Sequence, residues 1–393
     1  MKPDLLDRPA SRPARTSQLA PPLEAARKLT PVIAAHADEA EAARRMPADL
    51  AEQIAEAGLF GLLLPKAYGG HEADPVTMIE TLETLGAADG AAGWCVMIAS
   101  TTSINAAYLP DHHARMIWPD HRTITGGVFA PRGKAVREGD NWRVTGRWPW
   151  GSGSANCHWL VGGALVVEND RPQARMMWFP RADVTLHDTW HVMGLRGTGS
   201  GDISVEGALV PADRSVSLMT DTPRITAPLY RFAAFGLLAM GVASVALGIA
   251  RSAVEDVLDL AGAKVPSGMR RTLAERSQTQ SEIARISGQI RAARAGLIDA
   301  AGEAWRVAEA GDPIGLHQRA GLRIAATHAV RDCARAVRDL HDLAGGSSVY
   351  EGSGLERRFR DSHTATQHVM VGQASYELAG RALLGIEGDF SQL

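Results

Sequence analysis

The 393-residue chain has only three cysteines, and Cys95, Cys157 and Cys333 are too scattered for a disulfide framework or a zinc site. That usage is expected of a reducing compartment, and no metal is implied. Neither sign of charge dominates, since 41 Lys and Arg stand against 44 Asp and Glu. Electrostatics therefore give no reason to expect nucleic acid as a partner. Met1 to Pro22 is rich in Pro, Arg and Ser and lacks the apolar run of roughly 7–15 residues that a signal peptide needs. It reads as a flexible arm. The most apolar later stretch, Phe232 to Ala250, is interrupted by Gly236, Gly241 and Gly248 and reads as a core helix, not a membrane span. A soluble, cytoplasmic protein is expected. The chain also lacks a dinucleotide-binding fingerprint, because Gly197-Thr198-Gly199-Ser200-Gly201 is followed by the strand-like Ile203-Ser204-Val205 and not by a helix. No NAD(P)H-binding domain is therefore evident.

What is present is a change of hydrophobic period along the chain. From Leu23 to about Tyr108 apolar residues recur at helical spacing, as in Leu50, Ile54, Ala57 and Leu59, with Pro47 suited to a helix start. Between about Thr123 and Thr222 the period becomes two: Trp142, Val144, Gly146 and Trp148 alternate with Arg143, Thr145 and Arg147. Leu160 to Val167, Met176 to Phe179 and Ile203 to Val210 read as further strands. After Pro223 the helical period returns, with Ile283, Ile286, Ile290, Ala293 and Leu297 on one face and Ala326, Val330, Cys333, Val337 and Leu340 on another. No internal repeat is evident. The expected organisation is an arm over 1–22, a helical domain over 23–122, a β domain over 123–222 and a helical bundle over 223–393.

Four stretches carry a resemblance. Met46-Pro47 through Glu56-Ala57-Gly58-Leu59-Phe60-Gly61 to Leu64-Pro65-Lys66-Ala67-Tyr68-Gly69-Gly70 is one, and Met193-Gly194-Leu195-Arg196-Gly197-Thr198-Gly199-Ser200-Gly201-Asp202 another. Leu343-Ala344-Gly345-Gly346 and Arg360-Asp361 complete the set. In this order the chain resembles the acyl-CoA dehydrogenase superfamily over nearly its whole length after the arm. The resemblance implies an α+β fold with an N-terminal helical domain, a middle β-barrel or sandwich and a C-terminal four-helix bundle. Many members carry a glutamate base shortly after Arg-Asp. Here that register holds Val369, preceded by His368, and a valine cannot accept a proton.

Details are more similar to the branch of two-component flavin-dependent monooxygenases. Ala88-Asp89-Gly90-Ala91-Ala92-Gly93-Trp94 is similar to their helix whose tryptophan lines the active site. Trp148-Pro149-Trp150-Gly151-Ser152-Gly153-Ser154 sits where the family runs along the flavin. The resemblance thus implies a C4a-hydroperoxide formed from reduced FMN or FAD and O2, a small, aromatic or heteroaromatic substrate, and a separate NAD(P)H:flavin reductase. It implies catalytic roles for Trp94, Ser152 and His368, and flavin contacts from Trp150, Gly151, Ser152, Gly153, Arg270, Arg271, Gly345 and Gly346.

His368, with an ordinary pKa of ~6.5, suits acid–base work. His363 is second choice, lying ~500° earlier around a continuous helix and so on another face. Long helices such as Ser281 to Ala310 carry apolar faces, and together with the flavin sites that the resemblance places between subunits they imply a homotetramer or a dimer of dimers. A dehydrogenase with its base at Glu255 or Glu275, an N- or S-oxygenating member and a flavin-free scaffold are the alternatives.

Overall fold

The computed structural model describes residues 19–168 and 171–393, so most of the expected arm lies outside the described residues. Helices α1 (Pro22–Ala43), α2 (Ala48–Glu56), α3 (Pro75–Ala88), α4 (Gly90–Ser103) and α5 (Asp111–Ile117) come first. Asp74 caps α3 by accepting from the Val76 and Thr77 N–H groups, and Asp89 caps α4 through Ala92 N–H. Each cap stands directly before a Pro or Gly that opens the helix.

Seven strands follow: β1 (Thr125–Glu138), β2 (Asn141–Trp148), β3 (Trp159–Glu168), β4 (Arg171–Pro180), β5 (Thr185–His187), β6 (Asp202–Pro211) and β7 (Ser215–Val216). They form one mixed sheet in the order β5-β6-β2-β1-β3-β4-β7, with β1 and β3 parallel. The middle β domain is thus built from one continuous sheet, whose edge strands are only three and two residues long. The alternation of β2 follows from its one-sided burial: Trp142, Val144 and Trp148 are buried while Arg143, Thr145 and Arg147 are exposed. In β3 and β4 both faces are covered. Leu160, Met177 and Phe179 join the main core, whereas Val161, Met176 and Trp178 pack against Leu64, Ile117 and Trp118. That is why both strands read as unbroken apolar runs. The Trp148 indole crosses the sheet to donate to the Gly163 carbonyl at 2.7 Å, over Gly133, Gly146 and Gly162, where any Cβ would stand 2.6–2.7 Å from the ring.

The short α6 (Pro228–Arg231) leads into three long helices, α7 (Ala234–Ala263), α8 (Ser277–Ala310) and α9 (Leu316–Ala344). Two shorter helices, α10 (Gly354–Ala365) and α11 (Gln373–Leu383), take the fourth side of the bundle. The fourth helix of the expected bundle is therefore split, and the split contains His368. By length and by a mean hydropathy of 1.8 over its most apolar window, α7 does qualify as a span, contrary to the sequence-based reading. Packing decides otherwise, since 89% of that window is buried within the protein. Gly248 of α7 lies so close to α3 that a Cβ would sit 2.3 Å from the Glu83 carbonyl oxygen.

His113 of α5 approaches Asp213, in the turn after β6, with Nε2 at 2.8 Å, and His112 lies 3.8 Å from the other carboxylate oxygen. His113 Nδ1 is buried without a partner. A metal on Nε2 would leave a hydrogen on that orphaned nitrogen, where metal-bound histidines normally have an acceptor. The group is a charge-assisted hydrogen bond that ties α5 to the sheet.

Candidate active site

Two glycine-rich segments meet at the N-terminal half of α4. The turn between β2 and β3 and the turn before β6 zip together through Gly151 N–H to Gly201 O at 2.9 Å and Gly153 N–H to Thr198 O at 2.8 Å. The first segment adopts left-handed backbone at Trp150 (φ 69°) and Gly153 (φ 70°), which turns Ser152 inward. Ser152 is 5% exposed, and its Oγ accepts from the Trp94 Nε1–H of α4 at 3.2 Å. The Trp94 ring in turn lies edge-on to His368, with ring centroids 5.5 Å apart. The structure thus brings together the three residues selected for catalysis from the sequence.

His368 does not sit on a helix as expected. Helix α10 ends at Ala365, where Thr366 Oγ1 donates back to the His363 carbonyl at 2.6 Å, and His368 caps the one-turn 3-10 helix Val369–Val371. Its Nδ1 accepts from the Met370 N–H at 3.3 Å. Burial, and behind it the charge of Arg323, lowers its pKa to about 4. The ring is neutral at pH 7, and with Nδ1 acting as acceptor its hydrogen resides on Nε2. In that tautomer Nε2–H is a donor and can hydrogen-bond an oxygen. Among the described residues, Arg323 is the one charged group acting on it.

His363 lies apart. It stacks on Phe359 at 4.6 Å, and Phe359 stacks on His341 at 4.7 Å. Neither candidate glutamate joins the site. Glu275 is exposed and accepts from Thr272 N–H at 2.7 Å in a capping box, and Glu255 is exposed on the last third of α7. Val369 is 72% exposed.

Of the residues chosen for flavin contact, Trp150 to Gly153 flank the cluster. The Trp150 ring is 60% exposed, with the Arg132 guanidinium 5.6 Å from its centroid. A small cleft beneath Ser152 and Gly153 is lined by Phe60, Cys95, Ile124 and Cys157. Burial pushes the Cys157 thiol up to about 12 and that of Cys95 further in the same direction, so both are inert neutral packing groups.

Arg270, Arg271, Gly345 and Gly346 are not brought to this place. They are exposed at the opposite end of the bundle, where Lys264 reaches the Ala344 carbonyl at 2.6 Å. That end adjoins the start of α10, since Gly354 packs on Asp256 of α7. The 12 residues of α10, roughly 18 Å at helical rise, separate it from His368.

Sequence reasoning missed what holds the pre-β6 turn. Gly194 packs on α10 so tightly that a Cβ would stand 2.3 Å from the Arg360 carbonyl oxygen, and Leu195 N–H donates to Asp361 at 2.5 Å. Arg360 donates to the Met193 carbonyl at 2.5 Å and to Glu41 at 2.8 Å. Asp361 is 3% exposed, and burial raises its pKa to about 7 against the opposing effect of the Leu195 N–H. Burial raises Asp89 in the same way. Two motifs legible as separate signatures are thus one contact, though Gly194 and Arg360 are far apart in the chain. Ser200 and Thr198 were also overlooked as site residues: Ser200 Oγ lies 2.7 Å from Ser152 Oγ and 2.6 Å from Thr198 Oγ1.

The chain as a whole is similar to known proteins. "Acyl-CoA dehydrogenase, N-terminal domain" matches residues 23–110, and "Acyl-CoA dehydrogenase, C-terminal domain" matches residues 240–373. Indole-3-acetate monooxygenase of Pseudomonas putida is 29% identical over 87% of this chain and 88% of its own. The flavin-dependent monooxygenase oxygenase subunit HsaA of Rhodococcus jostii is 27% identical, covering 86% of this chain and 92% of its own. Among solved structures, XiaF from Streptomyces, in complex with FADH2 and glycerol, superposes with a TM-score of 0.87 at 29% identity over 93% of this chain and 95% of its own.

Proposed function

The chain belongs to the acyl-CoA dehydrogenase family, and from there we propose that it is the oxygenase component of a two-component flavin-dependent monooxygenase, hydroxylating a small aromatic or heteroaromatic substrate. The observation that carries this reading is the convergence of Trp94, Ser152 and neutral His368 with no carboxylate base among them. The residues present fit a flavin ring: a neutral, glycine-flanked segment with one inward hydroxyl and one exposed indole. Reduced FMN or FAD, when bound, would supply the activation of O2. Trp150 to Gly153 would hold its ring, with Ser152 as the hydroxyl that meets N5. The Trp94 face would orient an aromatic substrate, and His368 Nε2–H would donate to the oxygen under transfer or to the substrate oxygen. Burial of Trp94 and Ser152 excludes water from that corner.

Reduced flavin would come from a separate NAD(P)H:flavin reductase. We further propose a homotetramer in a reducing cytoplasm. A second copy is what could bring Arg270, Arg271, Gly345 and Gly346 to the flavin, and the bundle exposes Leu258, Val265, Met269, Leu383 and Leu384. Light scattering that finds a flavin-competent monomer would refute the assembly. For the activity, the test is NAD(P)H oxidation and oxygen uptake by the protein with and without an added flavin reductase. The isolated chain should not oxidise NAD(P)H, and reductase plus flavin should switch on oxygen-dependent product formation from indole- or phenol-type substrates. Robust NADH oxidation by the chain alone, or bleaching of bound oxidised flavin by acyl-CoA, would overturn it.

A further inference from the structure

Ser152 is one link of a chain of hydrogen bonds whose two ends are chemically fixed. Trp94 Nε1–H lies 3.2 Å from Ser152 Oγ, Ser152 Oγ is 2.7 Å from Ser200 Oγ, and Ser200 Oγ is 2.6 Å from Thr198 Oγ1. Thr198 Oγ1–H then donates to the Leu195 carbonyl at 2.8 Å. All five residues are at most 6% exposed. An indole N–H can only donate and a carbonyl can only accept. With those ends, every bond is satisfied in one direction alone: indole to Ser152, Ser152 to Ser200, Ser200 to Thr198, Thr198 to the carbonyl. In that direction the Ser152 hydrogen is committed to Ser200, and what Ser152 has left for a bound ring is a lone pair.

The opposite direction is available at a cost. Thr198 would donate to Ser200, Ser200 to Ser152, and the Ser152 O–H would be left for a bound ring. The Thr198–Leu195 bond would be lost, and without an acceptor on that ring a buried hydroxyl hydrogen would be stranded. Leu195 is well fixed as the accepting end. It is held in left-handed backbone (φ 52°) by its N–H bond to Asp361, and its carbonyl also receives Trp190 Nε1–H at 3.1 Å.

We propose that this hydroxyl relay sets the polarity of Ser152, so that the site selects the flavin state that carries a hydrogen on N5, the reduced state, over the oxidised state, whose N5 can only accept. Ser200 and Thr198 are positioning residues in this scheme and touch no flavin atom. The inference rests on the reading above that Ser152 meets N5.

The experiment is equilibrium titration of the full-length protein with oxidised FMN and FAD in air and with the dithionite-reduced flavins under anaerobic conditions, read as the ratio of the two dissociation constants. Thr198→Val removes the last link at constant shape and leaves Ser200 free to donate to Ser152. Ser200→Ala removes the acceptor of the Ser152 hydrogen. Each should lower the preference for reduced flavin by roughly 3–10-fold, the worth of one hydrogen bond, and Thr198→Ser, which keeps the hydroxyl, should not. The two variants act at different positions, so poor folding of one, visible in its thermal unfolding, leaves the other decisive. A lowered ratio in Ser152→Ala with wild-type ratios in Thr198→Val and Ser200→Ala would overturn the relay while sparing the Ser152 assignment. An unchanged ratio in Ser152→Ala would overturn both.

Discussion

The turn of residues 193–201 has two sides that solve burial in opposite ways. Toward Ser152 it presents Thr198 and Ser200, and every polar group there is neutral and hydrogen-bonded to another neutral group. Toward α10 it is clamped by Arg360, Glu41 and Asp361, with Asp89 buried nearby. The charged side is strong and directional, which suits a clamp between segments far apart in sequence. The neutral side creates no field that would protonate or ionise a bound ring. In the proposed reading, chemistry and anchoring lie on opposite sides of one strand of backbone and meet at Leu195, whose carbonyl ends the relay and whose N–H is bound by Asp361.

The largest effect is expected on the neutral side. His368→Ala should lower product formation roughly 10²–10³-fold, the usual cost of losing a donor to developing charge on oxygen. Flavin uptake should survive. His368→Gln, which keeps an N–H, should lie within about 10-fold of wild type, whereas a general base would not be replaced by an amide. Val369→Glu should rescue neither variant, because Val369 is 72% exposed. Product and hydrogen peroxide must be measured separately, since an uncoupled variant still consumes oxygen.

On the charged side the expected effect is on stability. The folded pKa of Asp361 is raised to about 7 from an ordinary 3.8, so the folded state holds a proton that the unfolded state releases between those values. Its favourable contribution is complete below pH ~4 and disappears as pH rises through about 7. Asp361→Asn keeps an acceptor for Leu195 N–H without the charge. Relative to wild type it should gain stability from pH 5 to pH 8, by up to about 3 kcal/mol, since roughly two pKa units are crossed between pH 5 and 7 at 1.36 kcal/mol each. His368 works in the opposite sense, its depressed pKa making stability rise with pH between about 4 and 6.5 in both proteins alike. Urea unfolding of both proteins at the two pH values isolates the Asp361 part, and a variant that is less stable at pH 8 would refute the assignment.

A smaller effect joins the two sides. Trp94→Phe keeps the ring against His368 but removes the fixed donor that accounts for one end of the relay. Product formation should fall by roughly 3–10-fold, the size of one neutral hydrogen bond. A loss as large as that of His368→Ala would mean that Trp94 does more than orient.

The sequence displayed the neutral side far better than the charged one. Trp94, Ser152 and His368 each sit in a local motif, so motif register alone brought them together before any geometry. The Asp361–Leu195 and Gly194–Arg360 contacts span over 160 residues, and no local pattern carries them. Thr198 and Ser200 were hidden for another reason: hydroxyls between glycines look like turn residues. Among the strands, β2 was legible through its alternation, but β1 was missed. Pro131 and Gly126, Gly127 and Gly133 interrupt its pattern, and its register with β3 breaks between Val128 and Gly133. The end of α10 was missed because nothing local distinguishes Ala365-Thr366-Gln367 from a continuing helix; the stop is made by side-chain bonds of Thr366 and His368 to backbone.

The smallest effect belongs to His363, and it tests whether that stop is real. On one unbroken helix His363 and His368 would be set apart only by angle, and modest bending could bring either to the cleft. With α10 ending at Ala365, His363 stays in a different environment, stacked on Phe359, with Nε2 buried and unpartnered and its pKa lowered by burial. His363→Ala therefore opens a gap beside Phe359 and should cost about 1–3 kcal/mol of stability. Product formation per folded molecule should stay within about 3-fold of wild type, with the preference for reduced flavin unchanged. Thermal unfolding and coupled turnover on the same preparation separate the two quantities. Equal catalytic losses from His363→Ala and His368→Ala would show that the turn does not isolate His368, and the division between a reacting and a clamping side would fail with it.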